Sequence, residues 1–251
     1  MRILICNDDG IFFPGIVALA KAFVALGEVY LVAPDVERSA ASNALTLSNI
    51  LRVKEVDINI PGVKAFTTSG TPADCAKMGI ETLMPARPDL IVSGINKGQN
   101  MCVDIMYSGT CAAGYEGAFV DILSMSVSLD HPTPDADYSI AAEWALKTAR
   151  KLIEIKADPK YLYNLNVPNL PKEQIKGLKV TKVGRVIYTG GFEKRIDTYG
   201  RPYYWVNGRP QVADADPECD NNSVAEGYVS LSPLTRDLTA YEQLETLKNA
   251  F

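Results

Sequence analysis

The opening stretch of the chain constrains the fold most. Arg2 to Cys6 (RILIC) is a continuous apolar run with β-branched Ile3 and Ile5, and it stops at the turn-forming Asn7-Asp8-Asp9-Gly10. An uninterrupted apolar run of this kind marks a strand buried on both faces. Ile16 to Leu26 (IVALAKAFVAL) follows, rich in strong helix formers, with Gly27 placed to close the helix as a C′ residue. Glu28 to Ala33 (EVYLVA) is a second strand, stopped by Pro34-Asp35. Strand, helix and strand in so short a span make a βαβ unit, with parallel strands and a right-handed crossover.

The alternation continues. Leu51 to Val56 and Lys64 to Thr68 read as strands around the Pro61-Gly62 turn, and the polar stretch 35–50 between βαβ unit and strand reads as a long functional loop. Thr71 is a helix N-cap, with Pro72 in the first helical position and Asp74 complementing the dipole; that helix runs to about Leu83. Leu90 to Ser93 is a short strand followed by a glycine-rich loop, 94–109. A helix over Thr110 to Phe119, a strand over Ile122 to Ser128 and a helix over Tyr138 to Ile155 complete the pattern. It predicts an α/β fold with a Rossmann-like, doubly wound, mainly parallel sheet.

Beyond residue 176 the pattern changes to antiparallel hairpins. Asn207-Gly208 is a two-residue hairpin signal, and Tyr203-Tyr204-Trp205 reads as hairpin packing in preference to a base-stacking platform. An acidic loop at 213–222, a strand from Tyr228 to Leu231 and a terminal helix from Ala240 to Asn249 follow. Residues 1–251 are expected to form one domain, with a core over 1–175 and a hairpin-and-helix extension over 176–251. A hairpin and a short helix cannot bury their apolar faces alone, which points to exchange with a second subunit, the alternative being packing back onto their own domain.

Composition removes several function classes. Lys and Arg number 25 against 30 Asp and Glu, a net charge of −5, so no basic stripe for duplex nucleic acid is expected. The five cysteines are odd in number and lack CxxC spacing, the usage of reduced structural thiols in the cytoplasm. A single histidine, His131, cannot build a multi-histidine zinc site or a well-placed Ser-His-Asp triad. No apolar run is long enough to span a membrane, and the first residues read as strand and not as a secretory leader. The nicotinamide-type GxGxxG, the P-loop GxxxxGK[ST] and the GxSxG elbow are all missing from their diagnostic places.

Polar residues gather where strands end. Open parallel sheets bind ligands beyond the carboxyl ends of their strands. Asn7-Asp8-Asp9-Gly10, the segment around Ser39, and Ser93-Gly94-Ile95-Asn96-Lys97-Gly98 all fall at such ends. Asp8 and Asp9 have no Lys or Arg within five residues, and a hard divalent cation would relieve their repulsion. The alternative is an Asx-turn leading into a helix. Tyr107-Ser108-Gly109-Thr110 precedes a helix and supplies two hydroxyls and free N–H groups, either as an anion site or as plain capping.

Taken together, ILICNDDGIFFPGI, VAPDVERSAASNALTL, SGTPADC, VSGINKGQN, YSGT and AEGYVSLSPL resemble, in order, the motifs of the SurE family (survival protein E, 5′/3′-nucleotidase). The resemblance implies a Rossmann-like phosphomonoesterase that hydrolyses nucleoside monophosphates with one divalent metal, magnesium, manganese or similar, per subunit. It implies metal ligation by Asp8, Asp9, Ser39 and Asn96, phosphate binding by Ser108, Gly109 and Thr110, and a homodimer or tetramer assembled through the C-terminal extension. Departures from the family pattern are Ala40 in place of a glycine, the segment Cys102 to Met106, and Pro217-Glu218-Cys219-Asp220; none removes an implied ligand. Metal-activated water or an aspartate could be the nucleophile, and ligation makes an aspartate the poorer one. Rival classes are a non-catalytic nucleotide- or metal-binding module and a sugar-nucleotide transferase, which would need a second acceptor substrate.

Overall fold

A computed structural model describes residues 1–213 and 215–251. Asp214, in the stretch read as an acidic loop, lies outside the described residues. The βαβ unit consists of β1 (Arg2–Cys6), α1 (Pro14–Phe23) and β2 (Glu28–Pro34), with β1 and β2 parallel. Next come β3 (Val53–Val56), β4 (Val63–Thr68), α2 (Pro72–Met78) with a π-helical turn at Gly79–Leu83, and β5 (Leu90–Lys97). A 3-10 turn (Cys102–Met106), α3 (Gly109–Phe119), β6 (Leu123–Leu129), α4 (Ser139–Glu154) and β7 (Tyr161–Val167) follow. The C-terminal part carries β8 (Leu178–Val180), β9 (Val186–Thr189), β10 (Phe192–Ile196), β11 (Pro202–Val206), β12 (Arg209–Val212), α5 (Asp220–Ala225), β13 (Val229–Thr235) and α6 (Tyr241–Ala250).

Nine strands form one sheet in the order β3-β4-β2-β1-β5-β6-β7-β13-β8. Only the β3–β4 and β7–β13 pairings are antiparallel. The chain moves outward from β1 through β2 to β4, then returns to the other side of β1 with β5. The gap between β1 and β5 is therefore the topological switch point, where the following loops diverge and leave a crevice.

Period-two alternation splits the strand side chains between two apolar layers. Ile3, Ile5, Leu31, Leu90 and Val92 join Ile16, Leu19 and Phe23 of α1 and the alanines of α4 in one core. Leu4, Cys6, Tyr30, Val32 and Ile91 join Cys75 and Ala76 of α2 and Ala113 of α3 in the other. Each fully buried aliphatic side chain contributes about 1.5–3 kcal/mol. Buried Gly109, Ala112, Ala113, Gly114 and Gly117 give α3 a slim face that lies close on the sheet.

Several sequence expectations are corrected. α1 begins at Pro14, in the first helical turn, and ends at Phe23, so Gly27 is not its C′ residue. Gly27 is needed for close approach: a Cβ there would lie 2.1 Å from the Met1 carbonyl oxygen, which accepts the Glu28 N–H at 2.9 Å. β5 does not stop at Ser93 but continues to Lys97 through a register shift against β6 between Ser93 and Asn96. Gly94 makes this possible, with φ at 135° and no room for a side chain beside the Val127 carbonyl oxygen. The run read as a loop at 213–222 enters α5 at Asp220.

Asn207-Gly208 does not turn a hairpin. β10 pairs with β11 and β9 with β12, so 186–212 is one antiparallel ribbon. Its tip is at Asp197 to Arg201, where the Asp197 carboxylate accepts the N–H groups of Tyr199 (2.8 Å) and Arg201 (2.9 Å). Asn207 lies mid-ribbon, its N–H bonded to the Gly191 carbonyl at 2.7 Å. The tip sets the register, and the Asn-Gly pair lies opposite Gly190-Gly191 as an irregularity in it. Tyr203, Tyr204 and Trp205 of the ribbon are exposed and do not pack as expected. α6 likewise buries none of its residues.

Candidate active site

The turn after β1 is closed by its own asparagine. Asn7 donates through Nδ2 to the Gly10 carbonyl (2.9 Å) and accepts the Gly10 N–H at Oδ1 (3.1 Å). This fixes Asp8 and Asp9 at the switch point. Asp8 is almost fully buried, at 5% exposure, against the start of α3. Thr110 donates its hydroxyl to Asp8 Oδ1 at 2.5 Å. Gly109 packs so closely that a Cβ on it would lie 2.9 Å from Asp8 Cβ.

The other two loops close on the same pair. The Arg38 N–H donates to the Asp8 carbonyl at 2.8 Å, which brings the Ser39 segment alongside. The Lys97 N–H donates to Asp9 Oδ2 at 3.1 Å, which brings the end of β5 alongside. Asn96 spends its amide N–H on the Gly98 carbonyl (2.8 Å), leaving its side-chain oxygen without a hydrogen bond among the described residues. Ser39 donates its hydroxyl to Glu37 Oε1 (2.6 Å), which leaves oxygen lone pairs for another partner. Ser93, buried beside Cys6, has a hydroxyl with no hydrogen-bond partner among the described residues.

The site is electrostatically frustrated. Burial pushes the Asp8 carboxyl above its ordinary value, and the Thr110 hydroxyl and backbone N–H oppose the shift. Burial, and then the neighbouring Asp8 charge, push Asp9 up to about 7; the Lys97 N–H and ammonium oppose. Glu37 adds repulsion to both. Three carboxylates thus act on one another with little cationic relief. Among the described residues no three His, Cys, Asp or Glu side chains form a metal-sized cluster. A cation here would use hydroxyl and amide oxygens beside the two aspartates, an all-oxygen set that suits magnesium or manganese.

A carboxyl whose native value is raised makes the native state bind more protons than the unfolded chain between about pH 4 and 7. Its destabilising contribution grows as pH rises through that window and is absent below it. In excess chelator, Asp9→Asn is expected to melt above the wild type at pH 8, with the gap narrowing steadily toward pH 4. Calorimetric melting of both proteins across this range checks it; a gap independent of pH would refute it.

Hydrogen bonds from Arg38 and Lys97, the chain neighbours of Ser39 and Asn96, and from Thr110 tie the segments carrying the sequence-derived site residues to Asp8 and Asp9. Asp8, Asp9, Asn96 and the Ser39 segment meet at the switch point, and Ser108, Gly109 and Thr110 lie at the start of α3. Ser108 caps α3 by accepting the Cys111 N–H at 3.0 Å, and its own hydroxyl proton remains available. The Thr110 hydroxyl, by contrast, is committed to Asp8. His131 lies apart from this chemistry on an exposed turn, paired with Asp130.

Sequence reasoning missed Glu37 and the pegs behind the loop after β5. Asn100 donates to Asn166 Oδ1 (2.9 Å) and Ser128 Oγ (2.9 Å), and its carbonyl accepts from Asn164 (2.8 Å) and Asn166 (3.1 Å). Asn164 and Asn166, two apart in the otherwise apolar YLYNLNV, were a readable signal of one polar face.

The family model described as Survival protein SurE matches residues 3–190. A protein named 5′-nucleotidase SurE from Symbiobacterium thermophilum is 46% identical over 250 residues, covering 98% of this chain and 96% of that one. 5′-nucleotidase SurE 1 from Thermus thermophilus is 44% identical over 248 residues, covering 98% and 96%. The crystal structure of the SurE protein from Aquifex aeolicus superposes with a TM-score of 0.86 at 36% identity, over 100% of this chain and 99% of that one. With paired aspartates at the switch point and near full-length similarity to these proteins, the chain belongs to the SurE family.

Proposed function

We propose that this protein is a phosphomonoesterase that hydrolyses nucleoside monophosphates to nucleoside and phosphate, as a 5′/3′-nucleotidase. The observation that carries the reading is the Asp8–Asp9 pair, short of cationic partners, with Asp8 buried against the N-terminus of α3 and Asp9 partly buried beside it. One divalent cation per subunit, magnesium or manganese, would be held by Asp8, Asp9, Ser39 and Asn96. Bound there, it would neutralise charge on a phosphoryl oxygen and lower the pKa of a water.

The chain's own groups have distinct tasks. Thr110 and the start of α3 hold the Asp8 carboxylate in one orientation. A carboxylate so engaged is a poor nucleophile, which favours water as the attacking group. Ser108, its oxygen capping α3, can direct its proton to a phosphoryl oxygen, and the first N–H groups of α3 add to the same anion site. Asn100 and its partners keep the loop after β5 from shifting as charge develops.

Residues 176–251 are read as the assembling part of the molecule. The ribbon exposes Phe192 (74%) and Val206 (78%), and α6 is wholly exposed. Exposed apolar surface of this kind supports a homo-oligomer, a dimer or tetramer. No helix of the described residues is long and apolar enough to cross a membrane. Five buried thiols suit a reducing compartment such as the cytoplasm.

The test is phosphate release from a panel of 5′- and 3′-nucleoside monophosphates, with manganese, magnesium or excess chelator. Release that needs metal and stops with chelator is expected. A folded protein that binds manganese yet releases no phosphate from any substrate would instead be a binding module.

A further inference from the structure

We propose that Ser42 is a positioning residue, latching the loop that carries Ser39 to the segment that carries the phosphate-binding residues. The inference rests on the reading of the site given above. Two hydrogen bonds form the latch. Ser42 Oγ donates to the Met106 carbonyl at 2.8 Å, and the Ser42 N–H donates to the Tyr107 carbonyl at 3.0 Å. Tyr107 directly precedes Ser108, the cap of α3.

The surroundings of the loop show why the latch matters. Upstream, Arg38 is tied to Asp8 through its N–H and to the Ser69 carbonyl through its guanidinium (3.1 Å). Downstream, Thr71 donates to the Ala44 carbonyl (2.7 Å), and Thr46 donates its N–H and hydroxyl to the Asp74 carboxylate (3.1 and 2.6 Å). Between these anchors, over residues 39–43, the only hydrogen bonds to the rest of the described molecule are the two made by Ser42. Ser39 donates only to Glu37, within its own loop.

Ser42 also sits at φ 50° and Ala40 at φ 55°, left-handed conformations that disfavour side chains. Such a backbone persists when its contacts over-determine it. The latch supplies that constraint: it fixes the distance between the Ser39 hydroxyl on one side of the crevice and Ser108 on the other. A looser loop leaves Ser39 mispositioned even though Asp8 and Asp9 stay in place.

Ser42→Ala and Ser42→Gly separate the latch from backbone strain, because glycine removes the hydroxyl while accepting the left-handed conformation freely. Four quantities are measured on each full-length variant: manganese affinity by titration calorimetry, kcat and KM for a nucleoside monophosphate, amide exchange of 39–43 in metal-free protein, and melting temperature. Losing one hydrogen bond to a neutral acceptor corresponds to about a fivefold effect. Both variants are expected to bind manganese several-fold more weakly, to lose kcat by a similar factor with KM little changed, and to exchange faster over 39–43. Ser42→Gly should melt no lower than wild type. Wild-type manganese affinity, kcat and exchange in Ser42→Gly would overturn the proposal. A wild type that binds manganese but releases no phosphate would defeat the functional reading alone; manganese affinity and exchange would still decide the latch.

Discussion

Asp8→Asn is expected to give a folded protein whose metal-dependent phosphate release is reduced on the order of 10³-fold, the scale seen when a site loses a principal charge-stabilising group. The substitution keeps size and shape, and the asparagine oxygen can still accept the Thr110 hydroxyl that now reaches Oδ1 at 2.5 Å. It removes the negative charge, and with it most of the attraction for a divalent cation. Because burial already holds the Asp8 carboxyl above its ordinary value, the neutral side chain suits the metal-free fold, and the melting temperature should not fall. Manganese titration and phosphate release on the same preparation check both halves. Retained turnover at saturating metal would remove Asp8 from the ligand set.

Gly109→Ala should be nearly as damaging by a different route. An added Cβ would lie 2.8 Å from Pro72 Cγ, 2.9 Å from Asp8 Cβ and 3.0 Å from Asp8 Oδ2. Neither a proline ring nor a Cβ can swing aside as a flexible side-chain end would, so α3 or the turn carrying Asp8 must move. Misplacement of a catalytic constellation by about 1 Å costs about 10²-fold in rate, while overpacking of one methyl group typically costs about 1–3 kcal/mol of stability. The variant is therefore expected to fold, melt a few degrees lower, and lose about 10²-fold in kcat/KM. Kinetics with a melting curve test this; wild-type kinetics would mean the start of α3 can shift freely without disturbing Asp8.

What could be read from the sequence depended on how local the deciding interaction is. β1, β2 and the pair Asp8-Asp9 were legible because a buried apolar run and the turn after it declare themselves within ten residues. The α2 cap was legible for the same reason: Thr71 accepts the Asp74 N–H and Asp74 accepts the Thr71 N–H, three residues apart. Gly27 misled because its requirement comes from Met1, a contact that helix-ending statistics cannot see. Asn207-Gly208 misled because turn chemistry is local while strand partners are not; the register is set from the tip at Asp197. The β5 extension was hidden in a Gly94-Ile95 step that reads as loop. Glu37 and Ser42 were invisible as site residues, since the fold, not the local sequence, brings Asp8 and Asp9 near Glu37 and the Met106–Tyr107 segment against Ser42. Asp74 was seen as a first-turn charge complementing the dipole, and its second task of holding Thr46 was not.

All five cysteines are buried as thiols in the folded chain. Burial pushes Cys6 well above the usual thiol range and Cys111 to about 11, so these two hold little thiolate at neutral pH. Global unfolding uncovers all five at once and returns them to ordinary reactivity. The rate at which an alkylating reagent consumes Cys6, in the central strand β1, in dilute protein is thus an internal clock for opening of the sheet. Exposure to air after heating would leave mispaired disulfides that block return, so for this protein reversible melting and a maintained reductant belong together.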